Sequence, residues 1–104
     1  MALDITYGGT PASLLVTVSG EVDVSNASEL RDAIETKLPE VTGELVVDLA
    51  EVPYIDSTGI GVLVGAAHRA SEAGHALVVA RPQRNVARVL GLLGVGRDLN
   101  IREA

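Results

Sequence analysis

Apolar and polar positions alternate with a period of two near the start of the chain. Leu3, Ile5 and Tyr7 alternate with Asp4, Thr6 and Gly8, and Leu14, Val16 and Val18 with Leu15, Thr17 and Ser19. This pattern predicts two half-buried strands. The turn cluster Gly8-Gly9-Thr10-Pro11 between them makes the pair a hairpin. The period then lengthens. Leu30, Ala33, Ile34 and Leu38 repeat at helical spacing, and Pro39 ends that helix. Its start reads as a capping box, with Asn26 followed three residues later by Glu29, and Ser25 offers an alternative cap.

Two runs have no polar alternation of this kind, Leu45-Val46-Val47-Asp48-Leu49 and Ala76-Leu77-Val78-Val79-Ala80. Both read as central strands covered on both faces, or nearly so. A helix from about Ser57 to Ala73 lies between them, stopped by Gly74. Another spans about Gln83 to Leu93, with Val86, Val89, Leu90 and Leu93 as its apolar stripe and Gly94 as its stop. Leu99-Asn100-Ile101 is expected to add a short edge strand. The fold class is therefore α/β: a single domain over residues 1–104, with an N-terminal hairpin followed by β-α-β-α-β-α-β. Alternation after the hairpin calls for parallel crossovers, hence a mixed sheet with helices packed on it.

Composition narrows what such a domain does. The 104 residues include no cysteine, which excludes disulfides and thiolate metal sites. Fourteen acidic against eight basic residues leave a net charge of −6, the wrong sign for a nucleic-acid face or an anionic membrane. Tyr7 and Tyr54 are the only aromatics, too few for a base-stacking platform. No run approaches the roughly 20 apolar residues of a membrane span. Met1 to Tyr7 lacks the basic and apolar regions of a signal peptide, so a cytoplasmic location is expected.

The most informative stretch is Ile55-Asp56-Ser57-Thr58-Gly59-Ile60-Gly61-Val62-Leu63-Val64. A short loop through Pro53 and Tyr54 delivers Asp56-Ser57-Thr58-Gly59 to the mouth of a helix. Unpaired N–H groups and the positive end of the macrodipole favour an anion there. A phosphoryl group on Ser57 would add a charge of about −1.5 to −2. Ser57 and Asp56 equally fit a purely structural capping role. At about 100° per residue, Ile60, Leu63, Val64, Ala67 and Ser71 share a face, read as the core stripe. Val62, Ala66 and Arg69 then point the opposite way, making Val62 a candidate contact beside Ser57. Gly59, Gly61 and Gly65 would each cost about 1 kcal/mol in a helix relative to Ala, which suggests close approach by another backbone, either the sheet or a partner protein.

Catalytic readings fail on reach. His68 lies eleven residues beyond Ser57 along the same helix, about 16 Å away at ~1.5 Å per residue, and His75 lies past its far end. No Ser-His-Asp triad can form, and Asp56-Ser57-Thr58-Gly59-Ile60 is not a G-x-S-x-G elbow. Gly59, Gly61 and Gly65 miss the G-x-G-x-x-G register, and Lys37, the single lysine, is in no phosphate-binding loop. No metal-ligand spacing is present. No catalytic residue, cofactor or metal is expected.

These residues resemble the STAS family, the domain of anti-sigma factor antagonists and related regulators. The resemblance runs through Gly20-Glu21-Val22-Asp23, Asn26-Ala27, Val47-Asp48-Leu49, Val52, Asp56-Ser57-Thr58-Gly59-Ile60-Gly61-Val62-Leu63 and the late Val89-Leu90-x-Leu92-x-Gly94, and so covers nearly the whole chain. It implies a partner-switching regulator of sigma-factor-dependent transcription. In that family a serine–threonine kinase, itself the anti-sigma factor and the binder of ATP, phosphorylates the serine matching Ser57. The unphosphorylated form binds the kinase, the phosphorylated form does not, and a serine phosphatase resets it. Thr58 is the alternative acceptor. Asp23, Ser25 and Asn26 match a loop beside the acceptor. With Asp56, Ser57, Thr58, Gly59, Ile60 and Val62 they form the expected partner surface of a monomeric protein that binds neither nucleic acid nor membrane. Other members serve transporters or lipid-trafficking complexes, which makes an unphosphorylated accessory or scaffold subunit the alternative reading.

Overall fold

The computed structural model describes residues 2–103. Strands β1 (Asp4–Thr10), β2 (Ser13–Ser19), β3 (Glu44–Glu51) and β4 (Ala76–Ala80) form one sheet in that order. The β1–β2 pair is antiparallel; β2–β3 and β3–β4 are parallel, as the alternation requires. Helices α1 (Ala27–Lys37) and α2 (Ser57–Glu72) are the crossovers, with a short 3-10 turn over Leu38–Glu40 where Pro39 ends α1. Helices α3 (Arg84–Leu92) and α4 (Gly96–Leu99) complete the chain.

The core lies between the sheet and the helices. Val16, Val47 and Val79 stand side by side across three strands, and Leu14, Leu45 and Leu77 form the next row. Leu30 and Ile34 from α1 and Leu63 from α2 close over these rows, all fully buried. Since successive strand residues face opposite ways, Val46 and Val78 fall on the other face, where they form a smaller cluster with Ala80 and Leu15. The two apolar runs are thus buried on both faces.

Several expectations need correction. The first strand does not stop at the glycines: Gly9 and Thr10 still pair with Leu14 and Ser13, and the turn is Pro11-Ala12. Gly9 adopts φ +76°, and a Cβ there would lie 2.3 Å from the Ser13 carbonyl oxygen, so only glycine suits the close pairing. Most of β1 is exposed rather than half-buried, and the Tyr7 ring lies under the Lys37 ammonium, 4.6 Å from its centroid. The capping box does not form. The Asn26 side chain turns back into the preceding loop, and a Glu29 carboxylate oxygen accepts from the Leu3 N–H at 2.9 Å.

The expected final strand is a helix instead. Leu99 is fully buried as the anchor of α4, and Asn100, at φ +47°, ends the helix. Among the described residues after α4, only Arg102 pairs with the sheet edge, through a single bridge to Ala80. In α3 the buried stripe is Val86 and Leu90 alone; Val89 and Leu93, assigned to it from spacing, are exposed.

Candidate functional site

Helix α2 begins where the loop after β3 is pinned at three points. Val52 and Ile55 are buried plugs, while Pro53 and Tyr54 between them face solvent. Val22 forms an isolated parallel bridge with Ile55: its N–H donates to the Tyr54 carbonyl at 2.9 Å, and its own carbonyl accepts from the Asp56 N–H at 3.1 Å. This pairing sets the turn after Val22 beside the start of α2. Side chains from the N-cap and first turn of α3 complete the pinning. The Gln83 amide donates to the Ala50 carbonyl at 3.0 Å, and the Asn85 amide to the Pro53 carbonyl at 2.7 Å.

Asp56 is the N-cap. Its Oδ1 accepts from the N–H groups of Thr58 at 3.0 Å and Gly59 at 3.1 Å. Ser57 is therefore the first residue of the helix, and both Ser57 and Thr58 are exposed. The free N–H cluster expected to attract an anion is thus partly occupied already, because a carboxylate of the chain itself sits on two of those groups. A phosphoryl group on Ser57 would meet Asp56 there as a like charge.

The neighbouring turn is equally organised. An Asp23 carboxylate oxygen accepts from the Ser25 N–H at 2.9 Å and from the Ser25 hydroxyl. These bonds from Ser25 hold the Asp23 carboxyl below the usual carboxylate range, so the turn presents a fixed negative charge. Asn26 is 2% exposed. Its Oδ1 accepts from the Asp23 N–H at 2.9 Å, and its Nδ2 donates to the Glu21 carbonyl at 2.8 Å. Asn26 shapes the turn from below.

The predicted partner residues therefore divide. Ser25, Ser57 and Thr58 are exposed and Asp23 and Asp56 half-buried, whereas Asn26, Gly59 and Ile60 lie under the surface. Gly59 is needed there, since a Cβ would lie 2.6 Å from Val22 Cγ1 and 2.8 Å from Ile55 Cγ1. The close approach is by side chains, not by another backbone. Gly61 has nothing within 4 Å of the same position. Val62 is half-buried against the core, and Ala66, placed on the solvent side by spacing, is fully buried. The core face of α2 runs through Gly59, Ile60, Leu63, Ala66, Ala67 and Ala70: Ile60, Leu63 and Ala67 are buried as expected, Val64 is half-buried and Ser71 exposed, and the face extends to Ala66 and Ala70 on the side where Arg69 meets α1. An ion pair between Arg69 and Glu35 closes that seam.

Two exposed apolar features were missed from the sequence. Val24 is 77% exposed between Asp23 and Ser25. Its signal was available, as an apolar residue inside a polar turn. On α3, Val89 and the 78% exposed Leu92 line a groove of about 590 Å³ with Arg84 and Arg88.

The residues 5–103 match the family model described as "Mlab, STAS domain". The chain belongs to the STAS family. A curated STAS relative, the anti-sigma-B factor antagonist of Bacillus subtilis (strain 168), is 32% identical over 101 residues, covering 97% of this chain and 92% of the relative. The anti-sigma-B factor antagonist of Staphylococcus epidermidis is 30% identical over 88 residues, covering 85% and 82%. Among solved structures, an anti-sigma factor antagonist from Mycobacterium paratuberculosis superposes with a TM-score of 0.85 at 23% identity, covering 98% of this chain and 86% of that one. The names of these relatives denote regulatory binding proteins rather than enzymes. Among the described residues no helix is long and apolar enough to cross a membrane, and no three His, Asp or Glu side chains are grouped to hold a metal.

Proposed function

We propose that this chain is an anti-sigma factor antagonist whose grip on its partner is released by phosphorylation of Ser57. The observation that carries the reading is the exposed first turn of α2, with Ser57 and Thr58 outermost and the Asp23–Ser25 turn fastened beside it through Val22. The partner is a kinase-type anti-sigma factor that brings its own ATP. The Ser57 hydroxyl oxygen attacks the γ-phosphorus, the bond to the bridging oxygen of ADP breaks, and the hydroxyl proton passes to a base on the kinase. A serine phosphatase reverses the modification by hydrolysis, and the exchange takes place in the cytoplasm. Thr58 is the alternative acceptor.

The unmodified surface would be formed by Ser57, Thr58, Asp56, Asp23 and Ser25, with Val24 as an apolar contact and the bare Gly61 allowing close approach. Phosphorylation places about −1.5 to −2 charges where Asp56 already occupies the helix N–H groups and Asp23 is held ionised. With little local neutralisation, the phosphate points outward, and burying it against the partner carries a desolvation and like-charge cost. The test is mass spectrometry after incubation with a purified kinase-type anti-sigma factor and ATP, followed by calorimetry. Ser57→Ala is expected to keep binding and lose the modification, and Ser57→Asp to bind more weakly. Equal affinity of Ser57→Asp and the unmodified chain would refute the charge mechanism, and absence of any phosphate on Ser57 or Thr58 would refute the switch.

A further inference from the structure

A second cluster of polar side chains lies at the opposite end of α2. The last turns of that helix, the start of β4 and α4 enclose a cleft of about 360 Å³. Ala67 and Leu77 provide an apolar floor, and His68, Ser71, His75, Arg97, Asp98 and Asn100 line the rest. Among the described residues, the side chains of His68, Ser71, His75, Arg97 and Asp98 form no hydrogen bond or ion pair. Asn100 donates its amide to the Leu77 carbonyl at 3.0 Å, which leaves its Oδ1 to accept. Arg97 and Asp98 are the charged side chains of the cleft's lining, beside the imidazoles of His68 and His75.

The donors and acceptors define a ligand class. The Arg97 guanidinium offers a planar fork that suits phosphate oxygens, and each imidazole and the Ser71 hydroxyl adds a donor. The Asp98 carboxylate and Asn100 Oδ1 accept, which suits hydroxyl groups. The volume lies at the small end of the range of about 300–1,000 Å³ for small-molecule sites. We propose that this cleft binds a small phosphorylated polyol, with its phosphate on Arg97 and the imidazoles and its hydroxyls on Asp98 and Asn100. The site is separate from the Ser57 surface. A 16-residue helix spans roughly 24 Å at ~1.5 Å per residue, so both ends can be occupied together, and neither proposal depends on the other.

The probe is glycerol 3-phosphate, titrated into the ¹⁵N-labelled chain and followed by amide chemical shifts, with inorganic phosphate and glycerol as separate titrations. Saturable shifts are expected at His68, Ser71, His75 and Arg97 to Asn100 with glycerol 3-phosphate, weaker binding with inorganic phosphate, and none with glycerol. Arg97→Ala is expected to weaken binding by about tenfold or more, the size of a lost charge-assisted hydrogen bond, while Arg84→Ala leaves it unchanged. Arg97 is exposed and unpaired among the described residues, so thermal melting of that variant should match the parent. The proposal is overturned by the absence of saturable shifts into the millimolar range, by equal weakening in Arg97→Ala and Arg84→Ala, or by inorganic phosphate binding as tightly as the ester.

Discussion

Replacing Gly59 by alanine tests the packing that holds the Ser57 turn. Alanine in place of glycine inside a helix gains about 1 kcal/mol, so propensity alone predicts a more stable protein. The surroundings of Gly59 predict the reverse. The added methyl would lie 2.6 Å from Val22 Cγ1 and 2.8 Å from Ile55 Cγ1, roughly 1 Å inside an ordinary carbon–carbon contact of about 3.5–4.0 Å. Neither neighbour can swing aside easily: both are β-branched, buried and joined by the Val22–Ile55 bridge. Overpacking of this kind costs about 1–3 kcal/mol, so the net change is a loss of up to about 2 kcal/mol, with Tm falling by about 4–8 °C per kcal/mol for a domain of this size. Gly61→Ala is the matched control, because its new methyl meets nothing within 4 Å and should raise stability by up to about 1 kcal/mol. Urea or thermal unfolding of the two variants gives the comparison, and Val22→Ala, which removes the nearest methyl, should relieve the Gly59→Ala penalty in a double-mutant cycle. A Gly59→Ala protein as stable as Gly61→Ala, or no coupling to Val22→Ala, would refute the steric account.

Asp56→Ala should lower stability by about 1 kcal/mol through loss of the cap on Thr58 and Gly59, read as a shift in the urea midpoint without a change in slope. The Asp48–Arg81 pair gives a pH signature. Burial raises the Asp48 carboxyl, but the Arg81 guanidinium and the Ala50 N–H outweigh it and hold the group below its ordinary value. A carboxyl depressed in the folded state stabilises above its unfolded pKa of about 3.9, and that stability is lost as the pH falls through the lower folded value. Arg81→Ala leaves a buried carboxylate that burial pushes upward, so its destabilisation should be largest near neutrality and shrink toward pH 3 in a series of thermal melts. On α3, Leu90→Ala should cost about 2–5 kcal/mol as a core truncation, whereas Leu92→Ala should leave unfolding within about 0.5 kcal/mol of the parent.

Local pattern made much of this protein legible. The alternation in β2, the two apolar runs of β3 and β4, the helix bounded by Pro39 and the one stopped by Gly74 are short-range signals, and each element formed where its signal lay. The Asp56-Ser57-Thr58-Gly59 segment was also readable as a helix mouth, because capping chemistry is confined to one turn. What spacing could not supply was the direction from which each element is covered. The buried face of α2 extends to Ala66 and Ala70 on the side where Arg69 meets α1, and nothing within α2 records the position of α1. Gly59 and Gly61 look alike in the sequence. One lies against Val22 and Ile55 and the other faces open space, a difference that depends on Val22, 37 positions away in the chain.

The sequence by itself determined the class of fold, the order of its elements as far as α3, the absence of disulfide and triad chemistry, and a serine at a helix start, since all of these depend on residue type and on neighbours within a turn or a strand. Tertiary structure alone decided that Asp56 rather than Ser57 occupies the cap, that Asn26 supports its turn from inside, that Leu99 anchors a helix instead of an edge strand, and that Asp48 meets Arg81 across the sheet edge. Those outcomes depend on which hydrogen-bond partner and which apolar surface lie nearest after the chain has closed on itself, and long-range packing sets those distances.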